Sequence, residues 1–102
     1  MKKDPQIAAA VKEILDLIKK ISPGKSVELR VPPYGAIQCV AGSNHRRGTP
    51  PNTVEMSGQT LVRLINEPSL WSDLCESGEV RASGLLSDLS NLFAQEAVKY
   101  RA

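Results

Sequence analysis

The stretch Val27-Glu-Leu-Arg-Val-Pro-Pro-Tyr-Gly-Ala-Ile-Gln-Cys-Val-Ala-Gly-Ser-Asn-His-Arg-Arg-Gly-Thr-Pro-Pro-Asn-Thr-Val-Glu-Met56 decides the fold class. Residues 27–31 alternate apolar and charged, the period of a half-buried strand. Pro32-Pro33 stops that strand, because proline donates nothing to a ladder. Ala36–Ala41 resumes as a second strand after Gly35, so a hairpin about Pro-Pro-Tyr-Gly is expected. Thr53–Met56 reads as a short third strand. Between the second and third strands lies Gly42–Asn52, an 11-residue polar segment. Connections in compact domains run about 2–6 residues, and long loops on a rigid scaffold are where binding residues collect.

The flanks read as helices with one more strand. Asp4-Pro5 sets an N-cap acceptor before a proline at the first helical position, where its missing N–H costs nothing. Ile7, Val11, Ile14, Leu15, Ile18 and Ile21 follow at helical spacing, and Gly24 supplies a left-handed stop, giving a helix at about 5–22. Past Met56, Ser57 caps a helix carrying Leu61, Val62, Leu64 and Ile65, which Pro68 ends. Ser69 restarts one with Leu70, Trp71, Leu74 and Cys75, stopped by Gly78. Glu79–Ser83 alternates as a fourth strand, and Ser87 or Asp88 opens a last helix with Leu89, Leu92, Phe93 and Ala97 on one face. Strands and helices do not alternate singly, so the class is α+β with an antiparallel or mixed sheet.

A chain of 102 residues, 41% hydrophobic, suits one domain over 1–102, and 4% aromatics makes its core mainly aliphatic. The net charge is +2, with acids and bases interspersed, and the pI is 8.7. Nucleic-acid binders show a basic stripe and a pI above about 9, so no nucleic-acid partner is expected. No apolar run reaches the ~18 residues of a membrane span. Lys2-Lys3-Asp4-Pro5 and the charges at Lys12, Glu13 and Asp16 lack the pattern of a signal peptide. Cys39 and Cys75 match no zinc or redox spacing, so no metal or cofactor is expected and the reading is cytoplasmic, with both thiols reduced.

Two sets of residues are candidate binding groups. His45, Arg46 and Arg47, flanked by glycines, could hold a phosphate or carboxylate through charge-assisted hydrogen bonds. The alternative is that the arginines are solvated or pair with Glu28, Glu55 or Glu79. A Cys39 nucleophile with His45 as base is disfavoured, since Cys39 sits within an apolar strand and free cysteine is among the most buried residue types; no catalytic residue is assigned. The second set is the core. Helical and strand apolar faces either pack solid at about 0.75 density or stand apart around a cavity, and periodicity alone leaves both open.

Arg30-Val-Pro-Pro-Tyr34, Gln38-Cys39-Val40, His45-x-Arg47-Gly-Thr-Pro-Pro-Asn52 and Val54-Glu55 together resemble the stand-alone bacterial branch of the sterol carrier protein family. Ser77–Gly84 and Asp88-Leu89-Ser90 agree, so the resemblance covers about residues 25–93. It implies a curved, mostly antiparallel or mixed sheet of about five strands covered by helices. In the broader family an apolar tunnel between the two holds sterols, fatty acids or acyl-CoA. Similar folds end mycothiol-dependent maleylpyruvate isomerase-like proteins. The chain departs from the pattern at Ser57-Gly58 and Leu61, in place of Asp-Pro and a tryptophan, at Glu67-Pro68-Ser69, and at Leu85-Leu86, where charged residues are usual.

The leading expectation is therefore non-enzymatic binding of a lipid, fatty acid or acyl ligand. Ile37, Cys39, Val54, Met56, Leu61, Leu64, Ile65, Leu92 and Phe93 would line the pocket, with His45, Arg46 and Arg47 on an acidic headgroup. The alternatives are an interaction module with a filled core, meeting a protein partner or a second copy through Leu85 and Leu86, and an accessory domain for thiol-cofactor chemistry.

Overall fold

The computed structural model describes residues 4–42 and 52–101. Helix α1 (Pro5–Ile21) is opened by Asp4, whose carboxylate accepts from the amides of Gln6 at 2.8 Å and Ile7 at 3.3 Å. Its last turn carries Lys19 and Lys20, where cations complement the helix dipole. The strands are β1 (Val27–Val31), β2 (Gly35–Cys39) and β3 (Asn52–Met56). Helix α2 (Gly58–Asn66) is capped by Ser57, whose hydroxyl accepts from the Thr60 amide. A single 3-10 turn over Pro68–Leu70 leads into α3 (Trp71–Ser77), which Gly78 ends in the left-handed region at φ 85°. Strand β4 (Val80–Ser83) and helix α4 (Ser90–Arg101) complete the order.

The four strands run β2-β1-β3-β4. β1 pairs antiparallel with β2 and parallel with β3, while β3 pairs antiparallel with β4. The sheet is thus mixed, with four strands among the described residues where the resemblance implied about five. The hairpin about Pro32–Tyr34 forms, with a cis Pro32–Pro33 bond and the Tyr34 amide donating to the Val31 carbonyl. The long connection has a topological reason. Cys39 and Asn52 both face Val27 across the ladder, from opposite sides, so the connection joins two strands that flank β1.

Helices cover one face of the sheet. Val27, Leu29 and Val31 of β1, Val54 and Met56 of β3, and Val80 of β4 are buried against Val11, Ile14, Leu15 and Ile18 of α1, Leu61, Leu64 and Ile65 of α2, and Phe93 of α4. Each such apolar side chain contributes about 1.5–3 kcal/mol on burial. Trp71 stacks on Phe93 with ring centroids 5.9 Å apart. A Cβ on Gly58 would meet Ile7 at 2.6 Å and the Tyr34 ring at 2.7 Å. The Tyr34 hydroxyl in turn accepts from the Asp4 amide at 3.1 Å, so the small residue lets the hairpin reach the start of α1.

Gly24 departs from its expected role. Ser22 caps α1 with ordinary negative φ, its amide donating to the Ile18 carbonyl. Gly24 lies beyond, where a Cβ would come within 2.1 Å of the Val40 carbonyl oxygen. Close backbone approach, not helix termination, requires glycine there.

Candidate functional site

The nine apolar residues read from the sequence as pocket lining divide unequally. Cys39, Val54, Met56, Leu61, Leu64, Ile65 and Phe93 are buried in one continuous cluster, and Ile37 packs against it half-exposed. Leu92 is also half-buried, but it faces a groove. Burial pushes the Cys39 thiol up to about 11, so it stays protonated and inert near neutral pH. His45, Arg46 and Arg47 lie outside the described residues. The three carboxylates considered as their partners each have another arginine: Glu28 pairs with Arg30, Glu55 with Arg81, and Glu79 with Arg63 at 4.0 Å.

The groove has a volume of about 360 Å³ and lies where the end of α1 approaches the start of α4. Ile21, Ser22 and Val40 form one wall, and Leu89, Leu92 and Gln95 the other. Leu85, Leu86 and Asp88 complete the rim. A larger concavity of about 520 Å³ lies along β4 and is lined by Arg30, Glu55 and Arg81 together with Cys75, Val80 and Ala82. Its arginines are already paired with carboxylates. Six of the nine residues lining the smaller groove carry aliphatic side chains, which suits it to an apolar ligand.

Polar bonds build this groove. Val40 has φ 66°, a backbone conformation that β-branched residues rarely adopt. It is held there by its amide donating to the Ser22 carbonyl at 2.8 Å, and by its carbonyl accepting from the Ser26 amide at 3.2 Å and hydroxyl at 2.6 Å. Such strain costs about 1–3 kcal/mol and persists only where its surroundings enforce it. Asn52, nearly fully buried, donates to the Ser26 carbonyl at 2.8 Å and accepts from the Leu86 amide at 3.0 Å. One side chain thereby ties the 84–89 segment to Ser26, the residue just before β1. Gly84, at φ 107°, lets that segment pass, since a Cβ there would sit 2.2 Å from Asn52 Oδ1. The Ser87 hydroxyl closes the turn by donating to the Gly84 carbonyl at 2.7 Å. Asp88 accepts from the Ser90 amide at 2.9 Å, which holds its carboxyl below the usual range.

A family model described as bacterial SCP ortholog matches residues 3–94. The chain belongs to that family. The match spans α1 and every strand, and it ends within α4 just past Phe93. Among solved structures, a chain titled "UbiJ-SCP2 Ubiquinone synthesis protein" is similar, with a TM-score of 0.55 and 18% identity over 100% of this chain and 98% of that one. At that identity the likeness is one of fold. No curated protein matches. Among the described residues of this SCP ortholog, no three His, Cys, Asp or Glu side chains gather as a metal site, and no helix is long and apolar enough to cross a membrane.

Leu85, Leu86 and Leu92 stand out in the sequence, whereas only the fold brings Ile21, Ser22, Val40 and Leu89 around a common space. Asn52 appeared only as the end of a motif. Its signal was present in retrospect: an asparagine at an inward strand position requires buried hydrogen-bond partners.

Proposed function

We propose that this chain binds a lipid or another apolar small molecule in the groove between the end of α1 and the start of α4. The observation that carries the reading is the groove itself, about 360 Å³ and lined by six aliphatic side chains beside Ser22, Asp88 and Gln95, against a lower bound of about 300 Å³ for ligand sites. Leu92 supplies a wall. Ile37, Cys39, Val54, Met56, Leu61, Leu64, Ile65 and Phe93 enter the proposal as the apolar body behind it. Membership of a sterol-carrier-type family supports the ligand class.

The proposal gives His45, Arg46 and Arg47 an acidic headgroup. Their segment leaves from Gly42 and returns at Asn52, and both anchors stand at the groove. A Cβ on Gly42 would meet Leu86 Cδ1 at 3.0 Å, and Asn52 is bonded to the Leu86 amide. Native mass spectrometry after gentle purification, with displacement of a fluorescent fatty acid, tests the reading. The expected result is co-purifying lipid or micromolar displacement, weakened in Leu92→Asp. Replacing Arg46 and Arg47 by alanine should weaken a fatty acid more than the matching alcohol. Absence of both bound lipid and displacement overturns the proposal.

A further inference from the structure

We infer that the Leu85–Leu86 turn is an insertion tip by which this chain docks on an anionic lipid bilayer. Leu85 is 101% exposed and Leu86 41%, and these are the two large hydrophobic side chains left in solvent among the described residues. The turn that displays them is held from within. Gly84 takes a left-handed conformation, Ser87 bonds back to Gly84, and the buried Asn52 accepts the Leu86 amide. A fold that only needed to connect β4 to α4 could turn these leucines inward or replace them with polar residues.

The surroundings favour a bilayer over a protein. Ile21 and Ser22 share the groove with Leu85 and Leu86, and exposed Lys19 and Lys20 occupy the turn of α1 just before them. Lys25, also exposed, precedes Ser26, which lies against Gly42 and bonds to Asn52. Among the described residues, Asp88 is the one acid lining the same groove. Apolar side chains entering the acyl boundary beside lysines at the headgroups are the usual means of interfacial binding, and two such signals are needed for stable attachment. A specific protein partner typically covers about 800 Å² on each side, which a two-leucine tip does not present, whereas a bilayer accepts a tip.

This inference extends the lipid-binding reading by giving the groove's ligand a source, but it rests on the exposed tip and the lysines rather than on occupancy of the groove. Vesicle flotation tests it, comparing phosphatidylcholine alone with the same lipid containing about one-third phosphatidylglycerol. The intact chain should bind the anionic vesicles, with binding several-fold weaker at high salt, where the Debye length falls to roughly 3 Å. Replacing Leu85 and Leu86 together by serine should weaken partitioning at least about tenfold. Replacing Lys19 and Lys20 by glutamine should weaken binding to anionic vesicles and leave neutral vesicles unaffected. Thermal unfolding of each variant confirms that it remains folded.

Failure to bind anionic vesicles, or equal binding by the serine variant, overturns the inference. A dimer seen by sedimentation without lipid, and abolished by the serine substitutions, overturns it in favour of a second copy on the same patch. The two proposals fail separately. Vesicle binding without fatty-acid displacement removes the groove reading alone, and displacement without vesicle binding removes the docking reading alone.

Discussion

Leu92 and Phe93 are adjacent in α4 and belong to different regions of the molecule. Phe93 is fully buried against Trp71 in the core, while Leu92 stands half-exposed in the wall of the groove. The core is held by shape: among the described residues, apolar side chains from four helices and four strands meet in one cluster. The groove end is held by hydrogen bonds through Asn52, Ser26 and the strained Val40. Packing alone would tend to close such a space, so a persistent groove needs polar struts. Neighbouring residues of one helix thus serve the packed core and the proposed binding groove, which meet at Leu89 and Leu92.

That division can be broken by substitution. Phe93→Ala removes a buried ring and should destabilise the chain by about 3–5 kcal/mol, read by urea unfolding. Cys39, protected in the same core, should then react faster with a thiol reagent. A small loss with Cys39 still protected would show that the core is less continuous than its burial indicates. Asn52→Ala leaves the Ser26 carbonyl and Leu86 amide without their partner and should cost about 1–3 kcal/mol. Its distinctive signature is local, with faster hydrogen exchange at Leu86 than in the centre of β1. Uniform acceleration instead would place Asn52 in the core rather than in the groove's frame. Leu85→Ser should change stability by no more than about 0.5 kcal/mol, since the side chain is wholly exposed. A larger loss in thermal unfolding would mean that the tip is structural.

The elements were largely legible because their signals are local. The Asp4-Pro5 start, the alternation at Val27–Val31, the Ser57 cap and the Gly78 stop each act within a few residues and appear where expected. Boundaries moved by a residue or two, as at β2, which runs Gly35–Cys39 instead of continuing to Ala41. It stops there because Val40 turns into the left-handed region to bond with Ser22 and Ser26. Gly24 illustrates the opposite case. A glycine just after a helix satisfies the local rule for a stop, but its actual partner is a carbonyl sixteen positions later. The mixed sheet depended on which side of β1 the third strand joined, which alternation within a strand does not encode.

By itself, the sequence determined which faces are apolar, where most helices and strands begin, and that their order excludes a singly alternating α/β chain. Those properties follow from periodicity and backbone chemistry over short spans. Tertiary structure decided that β3 lies parallel beside β1, that most of the candidate pocket residues form packed core, and that an open groove lies at the end of α1. An apolar side chain bears the same pattern whether it meets another side chain or an empty space. Only the placement of the polar struts at Asn52 and Val40 separates the two.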